Sequence, residues 1–342
     1  MISIFKRSSF RKICLILLCL MTVCSFQTMI LASEEETTDA KTSEEETTDA
    51  KISAEDTDPT EEPEELYVEN EWNFVDGSMD TSQGIPEDAV GRLAKIRETG
   101  KLTVATEPYY APQEFIDPSL SEQEQYVGSD IELAKMIARR MGVELEIVPM
   151  DFTIVLTAVA EGNCDLAISG LAYTPGRASA MELSKGYHYA PDAAGTGLLI
   201  READKESIVN IKDLSEKDIV AQSGSLQEML MAENVSSYRQ FFRVGSIQDV
   251  YLALEEGTAD AAFVDIETAR IYVKNNPQCG LYLVDDLHFK LEEQFEGDRI
   301  AAKKGELQLI YFVNGVIDEL LETGQYSEWF AEYSEYAAGL GL

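Results

Sequence analysis

The chain has 342 residues, and its 27 Lys and Arg against 63 Asp and Glu give a formal net charge of −36. The length is enough for two α/β lobes. The acidic balance argues against nucleic acid as a partner, because phosphates bind clustered Lys and Arg. It favours a highly solvated protein in an extracellular setting.

Residues 1–33 have the pattern of a secretory signal peptide or a membrane anchor. A basic start that includes Lys6 and Arg7 precedes an apolar run over residues 13–23. Three endings are compatible with this pattern: cleavage near Ala32, lipid attachment at Cys24, or an uncleaved helix long enough to span a bilayer. We therefore expect an extracellular or periplasmic protein, with tethering to the outer face of the membrane as an open alternative.

Residues 34–65 are predicted to form an acidic, disordered tether. They contain a tandem decapeptide, EEETTDAKTS followed by EEETTDAKIS, without any aromatic residue. Such a segment buries too little apolar surface to fold, and its like charges extend it. An acidic interaction tail is the alternative.

Residues 66–92 are predicted to be an N-terminal extension. Its Trp72, Phe74 and Val75 are candidates to dock on the body as a lid or strap.

From about residue 93 the chain alternates strand and helix patterns, which predicts a parallel sheet with right-handed crossovers. A capping box of Ser129 and Glu132 is expected to begin one helix, and Gly142 to end it. Strands are predicted over 101–106, 144–149 and 165–169, and helices over 129–141 and 152–161.

The same unit recurs further along the chain. EGNCDLA at 161–167 matches EGTADAA at 256–262, each after an amphipathic helix and before an apolar strand. A coincidence of two Glu-Gly helix stops is the alternative. The repeat predicts two α/β lobes, between which the chain crosses at 195–200 and 299–302 to form a hinge. The predicted lobes are 93–198 with 299–342 for lobe 1, and 199–298 for lobe 2.

The reactive side chains of the body are few. Cys164 and Cys279 are too few for a disulfide framework, and we expect both to be unpaired, buried and in different lobes. His188 and His288 are the only histidines, and no metal-ligand or nucleophile cluster is visible in the sequence. This pattern favours a binding protein without a cofactor or metal over an enzyme.

The body resembles the extracellular solute-binding proteins of amino-acid ABC transporters, the polar amino-acid type of family 3. The resemblance implies a two-lobed, periplasmic-binding-protein-like fold of type II, with two parallel or mixed sheets joined by a two-strand hinge. It also implies a monomeric receptor that binds a polar amino acid in the interlobe cleft and delivers it to an ABC permease in the membrane. The segments that carry it are LTVATEPYYAPQEF at 102–115, GSDIELAKMIA at 128–138, MDFTIVLTAVAEGNCDLAISGLAYTPGRA at 150–178, DIVAQSGSLQE at 218–228 and, more weakly, ADAAFVD at 259–265.

Arg177 is the candidate partner for the ligand carboxylate, because a guanidinium can bind both oxygens at once. Backbone amides near Ala172 and at Ser225 and Leu226 are expected to add donors, since a helix start is an anion site. A surface arginine and a simply capped helix are the respective alternatives.

Asp265 is the candidate partner for the ligand ammonium, because it lies where an apolar strand stops; capping of the next helix is the alternative. The Gly170 carbonyl is the second ammonium contact that the resemblance implies. We expect a ligand whose side chain donates hydrogen bonds, either cationic or amide, because Glu107 is an acceptor for it. Gln222 carries no positive charge, which argues against an acidic ligand. Candidates for selecting the ligand side chain are Glu107, Tyr110, Phe152 and Gln222.

Two other functions remain open at this point. One is a sensory amino-acid receptor without transport. The other is a dehydratase of aromatic amino-acid biosynthesis on the same fold, in which Glu107 would donate a proton.

Overall fold

The computed structural model describes residues 74–190, 195–289 and 296–342, all within one structural unit, Leu66–Leu342. The predicted targeting segment 1–33, the tether 34–65 and Trp72 lie outside the described residues. Among the described residues, no helix is both long and apolar enough to cross a membrane.

Strands and helices alternate along most of the described chain. The helices are α1 (Gly91–Thr99), α2 (Ser129–Met141), α3 (Phe152–Glu161), α4 (Pro175–Ala180), α5 (Leu226–Asn234), α6 (Ile247–Glu255), α7 (Ile266–Asn275), α8 (Leu307–Thr323) and α9 (Gln325–Leu340). The strands are β1 (Lys101–Thr106), β2 (Tyr109–Tyr110), β3 (Glu114–Ile116), β4 (Tyr126–Val127), β5 (Glu144–Pro149), β6 (Leu166–Ala172), β7 (Met181–His188), β8 (Thr196–Arg201), β9 (Asp218–Gln222), β10 (Gln240–Val244), β11 (Ala261–Asp265), β12 (Leu281–Phe289) and β13 (Asp298–Lys303).

Two mixed sheets organise the molecule. The first has the order β5-β1-β6-β13-β7, in which β5, β1 and β6 are parallel and β13 is antiparallel to both of its neighbours. The second has the order β10-β9-β11-β8-β12, with β10, β9 and β11 parallel and β8 antiparallel to both of its neighbours. We call each sheet with its helices a lobe. The two-lobed α/β fold predicted from the sequence is confirmed.

Each sheet is buried on both faces. In β6, Leu166 and Ile168 pack into one apolar cluster, whereas Ala167 and Leu171 pack into another on the opposite face. In the second lobe, neighbouring residues of β8 divide between two clusters in the same way. This is the environment that a continuous apolar strand predicts, because a parallel sheet carries helices on both faces.

The element bounds follow the sequence pattern closely. For example, helix α2 spans the predicted residues and ends at Gly142, which adopts a φ of 72°. Two features differ from the prediction. The predicted capping box is wrong, because Gly128 precedes the helix and Ser129 Oγ lies 3.0 Å from the Tyr326 hydroxyl, to which it donates. Strand β6 extends to Ala172 rather than ending at Ser169, since β13 continues to pair with it.

The two cysteines of the body are free, as predicted. Cys164 is buried in an apolar cluster of the first lobe. Cys279 packs against a cluster of the second lobe but is only half-buried, which corrects the expectation that both are buried. Its position just before β12, at the edge of the sheet, leaves one side uncovered.

The N-terminal extension docks on the first lobe as a strap. The Val75 amide donates to the Leu183 carbonyl at 2.8 Å, and the Phe74 ring lies 4.1 Å from the guanidinium carbon of Arg299. The buried Asn314 amide on α8 donates to the Val75 and Gly77 carbonyls, both at 2.7 Å, and its oxygen accepts from the Lys185 amide at 3.0 Å. One side chain therefore satisfies three backbone groups that join the strap to the lobe.

We expect Asn314→Ala to lower the free energy of unfolding by about 2–4 kcal/mol, because it leaves buried backbone groups without partners. Chemical denaturation of wild type and variant measures the change. Thr323→Ala on the same helix is the control, because that exposed hydroxyl bonds only to its own helix. Equal stability of the two variants would show that the strap does not depend on Asn314.

Candidate functional site

The two sheets direct the carboxyl ends of their parallel strands into one cleft. Glu107 follows the end of β1, and Gly170 lies near the end of β6. From the second lobe, Gln222 is the last residue of β9 and Asp265 the last of β11. Ligands of open α/β sheets bind at this edge.

Most of the predicted site residues line a single small cavity. Those residues are Glu107, Tyr110, Phe152, Gly170, Ala172, Arg177, Gln222, Ser225 and Leu226. Asp265 instead lines an adjoining, larger cavity. The two cavities share the walls made by Tyr110, Gly170, Ala172, Leu226 and Gln227, so Arg177 and Asp265 lie in adjoining parts of one cleft.

The lobes contact one another across this cleft. The Thr153 hydroxyl donates to the Ser223 carbonyl at 2.9 Å, and the Phe152 amide to the Gly245 carbonyl at 3.3 Å. Arg177 Nη2 donates to the Gly224 carbonyl at 3.0 Å. The lobes are therefore closed against each other around the cavities.

Arg177 is a buried cation, with 7% of its surface exposed. Short helix α4 positions it, because the Thr174 hydroxyl caps the helix by accepting from the Arg177 amide. Besides Gly224, the guanidinium donates to the Ala172 carbonyl at 2.6 Å, and it lies 5.3 Å from the Phe152 ring centroid. No carboxylate among the described residues lies within 4.0 Å of it. Burial lowers its pKa to about 10, so it keeps its charge at neutral pH.

Glu107 is a buried acid at the other side of the same cavity. It is 1% exposed, and its backbone amide donates to the Ser169 hydroxyl at 3.0 Å. Within the described part of the chain, its Oε1 has no hydrogen-bond partner. Burial raises the pKa of Glu107 to about 8, although a hydrogen bond from Gln222 opposes the rise. Its carboxyl therefore needs a donor or a cation to ionise easily at neutral pH.

Asp265 caps a helix, the alternative considered from the sequence, and it also lines the cleft. Its Oδ1 accepts from the Thr268 amide at 2.9 Å and from the Thr268 hydroxyl at 3.1 Å, so it caps α7. It also lines the adjoining cavity. Burial raises the pKa of Asp265 to about 6 and that of Asp298, on the same cavity, to about 7. This part of the cleft is acidic and partly desolvated.

Backbone geometry shapes the floor of the cleft at Gly170. Its φ of 52° favours glycine, and a Cβ there would lie 3.0 Å from the Tyr110 ring. On the facing lobe, Ser225 caps α5 by accepting from the Glu228 amide at 3.0 Å. The Ser225 amide, an expected ligand donor, donates to the Gln222 carbonyl at 3.3 Å in this structure.

Three residues of the smaller cavity were missed from the sequence: Glu114, Ser169 and Gln227. Glu114 had one usable signal, a carboxylate between Gln113 and Phe115 in a short strand pattern. Ser169 and Gln227 had none, because each is a small or polar residue next to a predicted site residue.

The chain matches the family of bacterial extracellular solute-binding proteins, family 3, over residues 102–336. It therefore belongs to that family. All five segments that carried the resemblance lie within this range.

Similar proteins include receptors for amino acids. The arginine-binding extracellular protein ArtP of Bacillus subtilis is 30% identical over 237 residues, which are 67% of this chain and 86% of ArtP. The substrate-binding protein AbpA of an amino acid ABC transporter from Streptococcus pneumoniae, solved with L-arginine, is 32% identical with a TM-score of 0.63 over 71% of this chain and 98% of AbpA. An ancestral arginine-binding protein bound to glutamine is 29% identical, with a TM-score of 0.60 over 68% of this chain and 97% of that protein.

Burial of Glu107 predicts a pH dependence of stability in the absence of ligand. The folded protein holds the Glu107 proton up to about pH 8, whereas the unfolded chain releases it near the ordinary value of 4.5. The folded state thus binds more protons between these values, so stability falls as the pH rises through this window. We expect Glu107→Gln to make the fall shallower, with a residual slope from Asp265 and Asp298.

Melting temperatures of wild type and Glu107→Gln, measured without ligand from pH 5 to pH 9, check this prediction. Parallel curves for the two proteins between pH 6 and pH 8 would contradict it.

Proposed function

We propose that the chain is an extracellular receptor that binds a cationic amino acid, L-arginine first among them, and delivers it to an ABC permease. The receptors named for arginine among its relatives support this choice of ligand. In this proposal the cleft binds the amino acid and does no chemistry on it.

One observation carries the proposal: Arg177 and Glu107 are buried on the same cavity, and neither has a partner of opposite charge among the described residues within 4.0 Å. Burying an unpaired charge is costly. A ligand with a carboxylate at one end and a cationic side chain at the other would compensate both groups. Asp265, in the adjoining cavity, would then accept from the α-ammonium.

In this proposal the ligand favours closure of the lobes, because the groups that bind it are distributed over both lobes. Arg177 and Glu107 lie on the first lobe, whereas Gln222 and Asp265 lie on the second. Only the closed form brings all four groups to one ligand, so the ligand would favour that form by its differential affinity. The permease would recognise the closed receptor.

The segments outside the described residues would complete this role. We propose that residues 1–33 direct export and that the acidic repeat within 34–65 holds the lobes away from the membrane surface. The support is compositional: an apolar run after basic residues, then a charged segment without aromatic residues.

Replacement of Arg177 by Ala is expected to weaken L-arginine binding by about 30- to 1,000-fold, because the ligand carboxylate loses a desolvated charge partner. Arg177→Lys should be intermediate, since lysine keeps the charge but loses the planar fork. Isothermal titration calorimetry measures both. The exposed Arg270→Ala on α7 removes the same charge away from the cleft and should bind like wild type. Equal affinity in Arg177→Ala would contradict the assignment.

A thermal-shift screen of the ligand-stripped protein against the common L-amino acids tests the ligand class. L-Arginine is expected to give the largest rise in melting temperature, because a ligand that binds only the folded state stabilises it by mass action. Mass spectrometry of the recovered ligand should show it unchanged. Conversion to a product would favour the enzyme alternative, and no shift with any amino acid would contradict the proposed function.

A further inference from the structure

His188 and Glu267 make a side-chain contact that joins the two lobes beside the cleft. His188 is the last residue of β7 in the first lobe, and Glu267 lies in the first turn of α7 in the second. The Nε2 atom of His188 is 3.0 Å from Oε2 of Glu267. Of the pairs of basic and acidic side chains within 4.0 Å among the described residues, this is the only one whose partners lie on different lobes.

The imidazole of His188 is held in place by the first lobe. Its ring stacks on the Phe330 ring of α9, with 4.5 Å between the ring centroids and 22° between the planes. The centroid of the Tyr326 ring lies 5.2 Å away, and the Tyr326 hydroxyl donates to the buried Asp130 carboxyl at 2.6 Å. Only 10% of the His188 side chain is exposed. The ring therefore presents Nε2 to the second lobe in a fixed position.

Glu267 is placed for this contact by a helix that begins at the cleft. Asp265 caps α7 by accepting from the Thr268 amide, and Glu267 follows two positions after the cap. A negative charge is favourable in the first turn of a helix. The Glu267 side chain is 17% exposed, so solvent screens the contact only in part. Separation of the lobes would break the contact, which therefore belongs to the closed form.

The groups that face His188 are acidic. Asp298 on β13 pairs with it in the sheet register, Asp130 lies on α2, and Asp265 lines the same cavity from the second lobe. Burial lowers the pKa of His188, but the hydrogen bond to Glu267 and the charges of Asp298, Glu267 and Asp130 raise it above its ordinary value of 6.5. Asp298 and Asp130 belong to the first lobe, so only Glu267 approaches the imidazole when the lobes close.

The contact also forms part of the wall of the cleft. His188, Glu267 and Asp265 line one cavity, together with Glu296 and Asp298. Four carboxyl groups therefore face a single imidazole. Protonation of His188 does not make this cavity positive at neutral pH, so the cavity can still accept the ammonium of a ligand.

We propose that His188 and Glu267 are positioning residues whose interlobe ion pair favours the closed form and makes ligand affinity depend on the protonation of His188. The proposal rests on the proposed function, in which the lobes close around an amino acid. A protonated imidazole binds a carboxylate more strongly than a neutral one, because the hydrogen bond is then charge-assisted. The contribution is full below about pH 6.5 and is lost as the pH rises through the raised pKa of His188.

The affinity of the wild type alone does not isolate this effect, since other groups of the cleft titrate in the same range. The pKa is about 6 for Asp265, about 7 for Asp298 and about 8 for Glu107. Ionisation of these acids would strengthen the binding of a cationic ligand as the pH rises, which is the opposite direction. A double-mutant cycle separates the two effects, because all four proteins of the cycle contain these acids.

The cycle consists of wild type, His188→Gln, Glu267→Gln and the double variant. Isothermal titration calorimetry with L-arginine gives the four affinities at pH 5.5 and at pH 9. We expect a coupling of about 5- to 30-fold in affinity at pH 5.5 and of less than about threefold at pH 9. His288→Gln is the matched control, because that histidine is exposed, and it should show no coupling to Glu267 at either pH.

A purely structural role for the two residues has a different signature. Each variant would then lower the affinity by itself, with no coupling at pH 5.5 or with the same coupling at both pH values. Either result overturns the proposal while the proposed function stands. A wild-type protein that binds no amino acid removes the proposed function and this inference together.

Histidine NMR gives a second measurement, which remains available if His188→Gln fails to fold. The chain has only two histidines, so His288→Gln assigns the signal of His188. With saturating L-arginine, we expect the pKa of His188 to be lower in Glu267→Gln than in the wild type, because the facing carboxylate has lost its charge. The same pKa in both proteins overturns the proposal.

Discussion

The architecture of the cleft depends on the burial of two ionisable groups, the Arg177 guanidinium and the Glu107 carboxyl, that do not pair with one another. Arg177 and Glu107 are withdrawn from water by the closure of two lobes, yet their nearest described partners are neutral carbonyl, hydroxyl and amide groups. The pKa of each group is displaced toward its neutral form, which is the response of an unpaired charge to burial. The two groups do not pair because they follow different strands, β1 and β6. The proposed amino-acid ligand would pair with both of them.

Two sheets with apolar clusters on both faces form the scaffold that holds these groups at the cleft. Each sheet has apolar clusters on both faces, and the parallel strands end at the cleft. Hydrogen bonds that capping side chains accept from backbone amides, such as those of Thr174 before α4 and Ser225 before α5, fix the turns that follow these strands. The positions of polar groups in the cleft are therefore set by the core and not by the loops alone.

Periodicity and glycine stops were sufficient to predict most of the elements. Strand β1 and helices α2 and α3 have the predicted bounds, because apolar spacing defines them and Gly142 and Gly162 end the helices in the left-handed region. The capping box failed because a distant residue, Tyr326, competes for Ser129. Glu114 was missed because its local signal, a carboxylate in a short strand pattern, does not reveal its bond to Ser169, 55 positions away.

Three hydrogen bonds across the cleft end on main-chain oxygens, those of Ser223, Gly224 and Gly245, beside the side-chain contact of His188 with Glu267. Two of these acceptors are glycines whose substitution would disturb closure, because a Cβ at Gly245 would lie 2.8 Å from the Asp151 carboxylate of the first lobe and a Cβ at Gly224, which has a φ of 75°, would lie 3.3 Å from the Thr153 hydroxyl. Glu107, one of the residues proposed to select the ligand side chain, lies outside these loops. Replacement of Glu107 can therefore change the chemistry of the cleft while these contacts between the closed lobes are preserved.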